Sequence, residues 1–289
     1  MKTIDISYGT TTPDIPARPR PSDSDAALHR LNEGNRAFAA LFEGPRDASV
    51  GVQWIVSVDP RDLGLSPGEM KLPEQHPFAA VLGCSDARVP VELIFNEGPN
   101  DLFVIRVAGN ALGTDVLGSL KYAFDHLSAS LKLVVVLGHS GCGAVTAAVD
   151  VFLSPADYLP LATKHSLRNI LDGLLVVVQA SARRIQAAFG PNISNHAGYR
   201  EALIEASITT NAALAAYSIH QEIVTSGLSG LQAAFGIYLL ETRQVWAPRV
   251  REMSGPGLAA APRDRAGFIE LGNAIVQSDH IVSLIGAKM

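Results

Sequence analysis

The sequence predicts an α/β fold with a mostly parallel central sheet: four parallel strands plus an antiparallel edge strand, flanked by helices. An N-terminal helical arm and a C-terminal helical extension complete it. Three observations predict this class. Short apolar runs recur at 78–83, 102–107 and 131–137, the first bounded by Pro77 and reading as a fully buried strand. Stretches with helical spacing of apolar positions lie between and after them, notably at 113–128 and 143–153. The connecting turns are short, so successive strands are expected to pair in parallel through right-handed crossovers.

Taken in order, residues 1–22 are rich in Thr, Pro, Ser and Arg without a hydrophobic period, and are expected to form a flexible arm, mobile or laid on a partner. A helix is expected from Ser24, capped by Ser22 or Ser24, with Ala27, Leu28, Leu31, Phe38 and Leu41 at helical spacing. Residues 54–58 suit a short strand, and 59–74, with several breakers, a loop. Residues 91–95 suit one or two helical turns, stopped by Gly98-Pro99. Two long helical patterns follow at 165–189 and 199–226, separated by Gly190-Pro191-Asn192, which cannot continue a helix. The fourth strand is centred on 235–240, and Thr242-Arg243-Gln244 with Val245-Trp246 suggests a hairpin to the edge strand. Residues 248–262 read as a Gly/Pro/Ala-rich linker and 267–285 as a closing helix. The chain thus divides into an arm at 1–22, an α/β domain with its leading helix at 23–247, and a linker with a helical extension at 248–289.

Composition bounds the function. With 289 residues, 47% of them hydrophobic and 18% charged, the chain can bury a large core. A net charge of −5 and the lack of any Lys/Arg run argue against nucleic acid and anionic membrane as partners. No apolar core of signal-peptide length opens the chain and no run of about 18 apolar residues occurs, so a soluble cytoplasmic protein is expected. Thiols stay reduced there, so Cys84 and Cys142 are expected to be free.

Both cysteines stand where predicted core strands end, the place at which open α/β sheets bind ligands. One lies in Cys84-Ser85-Asp86-Ala87-Arg88-Val89-Pro90 and the other in Gly138-His139-Ser140-Gly141-Cys142-Gly143. His139 and Cys142 are three apart across a turn into a helix, so both can face one point, with Cys84 arriving from the neighbouring strand. Thiolate and imidazole suit Zn2+, and three protein ligands leave a fourth position for water. On zinc, the pKa of water falls from about 16 toward roughly 7, which makes hydroxide available at neutral pH. Asp86 and Arg88 follow the first ligand by two and four residues. Arginine can hold a carboxylate in a bidentate fork that fixes its direction, so an anchored Asp86 can accept a hydrogen bond from the metal-bound hydroxide. Released by Arg88, Asp86 could instead become the fourth ligand and close the site.

The segments CSDARVP and GHSGCGAV, with Phe103-Val104-Ile105-Arg106-Val107-Ala108-Gly109-Asn110, resemble the β-class carbonic anhydrases, most strongly over residues 77–151. The resemblance implies zinc-dependent reversible hydration of carbon dioxide to bicarbonate and a proton, with Cys84, His139 and Cys142 as zinc ligands and Asp86 with Arg88 as the catalytic dyad. Gln75 matches a position where plant-type members carry a substrate-binding glutamine, and Phe103 and Tyr122 match aromatic pocket walls. The amide of Gly141 is a further expected donor to substrate. The family also implies homodimers or larger even-numbered homo-oligomers, with pockets near the subunit interface. There are departures. This chain reads RVAGN where plant-type members have RNVAN, the Trp, Arg and Tyr of the bicarbonate-inhibited subgroup have no clear counterparts, and the region 158–199 and the C-terminal tail are longer than in compact members.

Other readings are carried beside this one. The same zinc site could hydrolyse carbonyl sulfide or carbon disulfide, or the three ligands could make a non-catalytic zinc-stabilised interaction module closed by Asp86. His76 could shuttle protons but is more simply a solvated loop histidine, and Asn110 more simply shapes a turn.

Overall fold

The computed structural model describes residues 4–10, 18–41, 52–65, 72–162, 165–250 and 255–286. Its first half runs β1 (Ile4–Thr10), α1 (Ser24–Ala40), β2 (Val52–Val58), β3 (Ala79–Gly83), α2 (Val91–Ile94), β4 (Leu102–Arg106), α3 (Thr114–His126), β5 (Leu133–His139) and α4 (Gly143–Leu153). The second half runs α5 (Tyr158–Ala162), α6 (His165–Phe189), α7 (Tyr199–Thr225), β6 (Gln232–Tyr238), β7 (Val245–Ala247), β8 (Gly255–Pro256), β9 (Ala259–Ala260), α8 (Arg265–Gln277) and α9 (Asp279–Gly286).

The main sheet has the order β4-β3-β5-β6-β7-β8, with β9 also on β6. Its first four strands are parallel, and β7 turns back antiparallel on β6 as the hairpin signal predicted. The strands lack polar alternation because both faces are covered. Successive side chains point to opposite faces. Ala80, Leu82, Val134, Val136, Phe235 and Ile237 join one core with the helices α3, α4, α6, α7, α8 and α9. Ala79, Val81, Leu133, Val135, Leu137 and Ala234 join a second core under α1 and α2.

Helix α1 closes that second face at short range. A Cβ at Gly34 would lie 1.8 Å from the carbonyl oxygen of Phe95, so only glycine allows the approach. Buried Asn35 then links three segments, donating to the carbonyls of Ile94 and Arg243 and accepting from the Val245 amide at 2.7 Å. The cap of α1 is Asp23, which accepts from the Ala26 amide at 2.8 Å, rather than either of the flanking serines. An aspartate carboxylate is as good a cap and adds charge at the positive end of the helix.

Three segments differ from the sequence expectation. Residues 4–10 form a strand paired in parallel with β2, a long-range pairing that no local pattern encodes. Within the expected linker, β8 pairs with β7 and β9 with β6, antiparallel additions only two residues long. The expected closing helix is two helices broken at Ser278, which has an extended ψ of 148° and buries its hydroxyl against the Ile275 carbonyl at 2.7 Å. These last helices join the main core through Leu271, Ile275, Val276, Ile281 and Ile285. Among the described residues, no helix is long and apolar enough to cross a membrane.

Candidate metal centre

The parallel register places the three ligands. Gly83 pairs with Leu137, so Cys84, just beyond β3, and His139, the last residue of β5, emerge side by side at the C-terminal edge of the sheet. Cys142 follows as the N-cap residue of α4. The turn between needs the left-handed backbone at Gly141, φ +62°, a region glycine enters without cost. The ligating atoms of Cys84, His139 and Cys142 lie within 4.8 Å of one another, and all three residues are buried. Asn110, itself at φ +54°, donates to the carbonyls of Leu82 and Leu137 and so ties the two strand ends together.

The donor chemistry fits a metal ion. His139 Nδ1 lies 3.0 Å from the Ser140 carbonyl, which can only accept, so the ring proton sits on Nδ1 and Nε2 presents a lone pair. That Nε2 is buried and has no hydrogen-bond partner. A buried unpaired acceptor carries a desolvation cost of about 1–3 kcal/mol, which coordination to a cation would relieve. The two cysteines are free. They are coupled: donation by the Cys142 thiol holds Cys84 well below the usual thiol range, while the same contact and burial push Cys142 up. One thiolate therefore forms readily, and the second needs a cation beside it.

Asp86 sits at the edge of this cluster, its Oδ2 3.8 Å from His139 Nε2. Arg88 holds it in a fork, Nε to Oδ1 at 3.0 Å and Nη2 to Oδ2 at 2.7 Å, and the Arg88 amide adds a third bond at 2.9 Å. The Arg88 side chain is the main cause that keeps the Asp86 carboxyl well below the usual carboxylate range. Arg106, to which the sequence assigns no role, donates to the carbonyls of Cys84 and Asp86 and braces their turn. Its only signal was a cation at the end of an apolar strand.

Of the other site residues expected from sequence, Gln75 and Phe103 lie apart from the three ligands, and Gly141 lies between two of them. Gln75 and Phe103 line a concavity of about 380 Å³ with Asp62, Glu74 and Asn100, a group that includes none of the three ligands. Phe103 pairs with Ala80, four residues before Cys84, so its backbone lies roughly 13 Å below the ligand level at about 3.3 Å per residue. Tyr122, half exposed, stands 6.4 Å from the Phe103 ring and 4.7 Å from that of His126. His76 pairs with Glu74 in a solvated loop. The Gly141 amide, expected to serve substrate, donates to Glu205 at 2.9 Å, and Ser140 donates to Glu241 at 3.0 Å. Neither glutamate had a sequence signal, because both approach from segments far along the chain.

A family model described as carbonic anhydrase matches residues 79–242, more than half of the chain and all of the metal-site residues. The chain belongs to the β-class carbonic anhydrases. Among curated relatives, carbonic anhydrase 2 of Mycobacterium tuberculosis is 44% identical over 124 residues, 43% of this chain and 52% of the relative. The carbonic anhydrase of Mycolicibacterium smegmatis is 38% identical over 129 residues, 45% of this chain and 54% of the relative. The chain thus spans about half the length of these curated relatives. Among solved structures, the β-carbonic anhydrase CcaA is 27% identical, with 60% of this chain and 80% of that chain covered at a TM-score of 0.45. The family model begins with β3 and stops before β7, so α1, β7, α8 and α9 lie outside the residues it matches.

Proposed function

We propose that the chain hydrates carbon dioxide reversibly to bicarbonate and a proton, with zinc held by Cys84, His139 and Cys142. The observation that carries this reading is the buried, unpartnered Nε2 of His139 beside two thiols, with a forked Asp86–Arg88 pair at its rim. Zinc, when bound, supplies Lewis acidity that makes water a competent nucleophile near neutral pH.

The chain's own residues supply orientation. Arg88 occupies both carboxylate oxygens of Asp86, which keeps the carboxylate ionised and turned toward the cluster. An ionised Asp86 can only accept, so it takes a hydrogen bond from the attacking oxygen and leaves that oxygen's lone pair facing carbon dioxide. New carbon–oxygen bond formation yields bicarbonate, and the proton released in generating the nucleophile passes to buffer. The fork also opposes closure of the site by Asp86, which favours the catalytic reading over a purely structural one.

The same reading takes the chain as a homodimer or larger even-numbered oligomer. The half-exposed Tyr122 beside Phe103 supports a partner surface along β4, which ends the order of the main sheet. Phe103 and Gln75, apart from the ligands of their own chain, would then wall a pocket shared with a neighbour, with Tyr122 beside Phe103.

The test is stopped-flow carbon dioxide hydration on protein of known zinc content, from about pH 6.5 to 9. Activity proportional to zinc and rising through one ionisation is expected. Zinc-replete protein without activity at any pH would overturn the catalytic reading.

A further inference from the structure

The loop that carries two of the three ligands is open at its middle. Gly141 is exposed, and a Cβ placed there would meet no atom within 4 Å, so packing does not restrain it. Its restraint is a hydrogen bond: the Gly141 amide donates to Oε1 of Glu205 on α7 at 2.9 Å. The other carboxylate oxygen of Glu205 lies 3.3 Å from His280 Nε2, on α9. The His280 ring packs against Trp246 of β7, with centroids 5.3 Å apart.

Helix α9 is itself rigidly seated. Ile281 is fully buried, and α9 approaches the start of α7 so closely that a Cβ at Gly198 would lie 2.1 Å from the Leu284 carbonyl oxygen. A continuous line of contacts therefore runs from the C-terminal extension through Glu205 to the backbone between His139 and Cys142. Glu205 lies inside the segment that matches the carbonic anhydrases, but Trp246 and His280 lie beyond its end.

We propose that Glu205 is a positioning residue of the metal centre and that the C-terminal helix, through His280, sets its direction. A carboxylate accepting from both a loop amide and an imidazole is held at two points, so it cannot rotate away from Gly141. The loop then keeps the separation of His139 and Cys142 that three-ligand capture needs. The inference rests on the zinc reading of this site and deepens it by assigning a role to the extension.

The experiment measures zinc release to a chelator, with the visible spectrum of the Co2+-substituted protein as a second report on thiolate geometry. Loss of an outer partner of a metal site typically lowers affinity about 10–100-fold, so Glu205→Ala is expected to speed release within that range and shift the Co2+ bands. His280→Ala is expected to speed release by about tenfold, the lower end. The double variant should be no worse than Glu205→Ala, since both changes break one line. Glu205→Gln, whose amide oxygen can still accept from Gly141, should recover most of the loss. Arg200→Ala, which removes an exposed pair between α7 and Asp150 of α4, should leave zinc release unchanged.

Release within about twofold of wild type in His280→Ala, with Glu205→Ala equally unaffected or unfolded, would overturn the inference. So would losses in the double variant that simply add. The underlying reading fails separately: a wild-type chain that takes up no zinc refutes the metal centre, and this inference with it, before any variant is compared.

Discussion

At the end of β3, Asp86 is fixed by residues two positions away, with Arg88 supplying both fork bonds and a backbone amide. At the end of β5, Ser140 and Gly141 are fixed by Glu241 and Glu205, 101 and 64 residues distant. One half of the metal centre is thus held mainly by near neighbours, with Arg106 bracing its backbone from 20 and 22 residues away, and the other is assembled by the fold. The difference teaches where each half can be damaged. The first half fails through its own side chains, whereas the second can fail through helices and strands that never touch the metal.

The comparison can be broken most severely at the ligands. Cys142→Ser removes a thiolate from the assembled half, and zinc content measured by metal analysis is expected to collapse with activity. Retained stoichiometric zinc would show that Cys142 is not a ligand. Next, Arg88→Ala attacks the local half without touching a ligand. Activity is expected to fall about 100-fold with zinc still bound, because Asp86 loses its direction and gains freedom to swing. Stopped-flow rates normalised to zinc content decide it, and full activity would refute the dyad.

A milder effect is expected from Ser140→Ala. Its hydroxyl donates to Glu241 and accepts from the Leu240 amide at 2.9 Å, so the variant should cost about 1–3 kcal/mol of stability by denaturant titration. Zinc release should also quicken, which separates the assembled half from the local one. Unchanged stability would show that the Glu241 contact does not hold the loop.

The smallest effect is a pH slope remote from both halves. Glu97 is buried in the second core beside Arg30 and Arg18, and burial pushes its carboxyl up to about 7 against the pull of those cations. Its folded value is above its ordinary one near 4.5, so folding takes up a proton between these values. That contribution is complete below about pH 4.5 and is lost as pH rises through about 7. Melting temperature should therefore decline with pH more steeply in wild type than in Glu97→Gln, with zinc content the same in both. Equal slopes would remove Glu97 from the account.

Most of the sheet was legible because its strands advertise themselves. Apolar runs at 78–83, 102–107 and 131–137 became β3, β4 and β5 in the expected parallel pairing, and the hairpin signal at 242–246 became the turn from β6 to β7. Most of the misses share a cause. β1 and β9 exist through pairing with distant segments and β8 is a two-residue addition to nearby β7, and the break at Ser278 depends on where α9 must dock, not on a glycine or proline.

Sequence alone determined which atoms could meet a metal: two thiols, one imidazole and a carboxylate with its own arginine, each at a strand end. These are choices of side-chain chemistry at fixed local spacing, and chemistry is written residue by residue. Only the tertiary structure decided that His139 Nε2 is buried without a partner, that the Phe103 backbone stands away from the ligands of its own chain, and that the C-terminal helix reaches the loop through Glu205. Those facts arise from strand register and helix docking, contacts across 54 to 75 residues that no window along the chain can register.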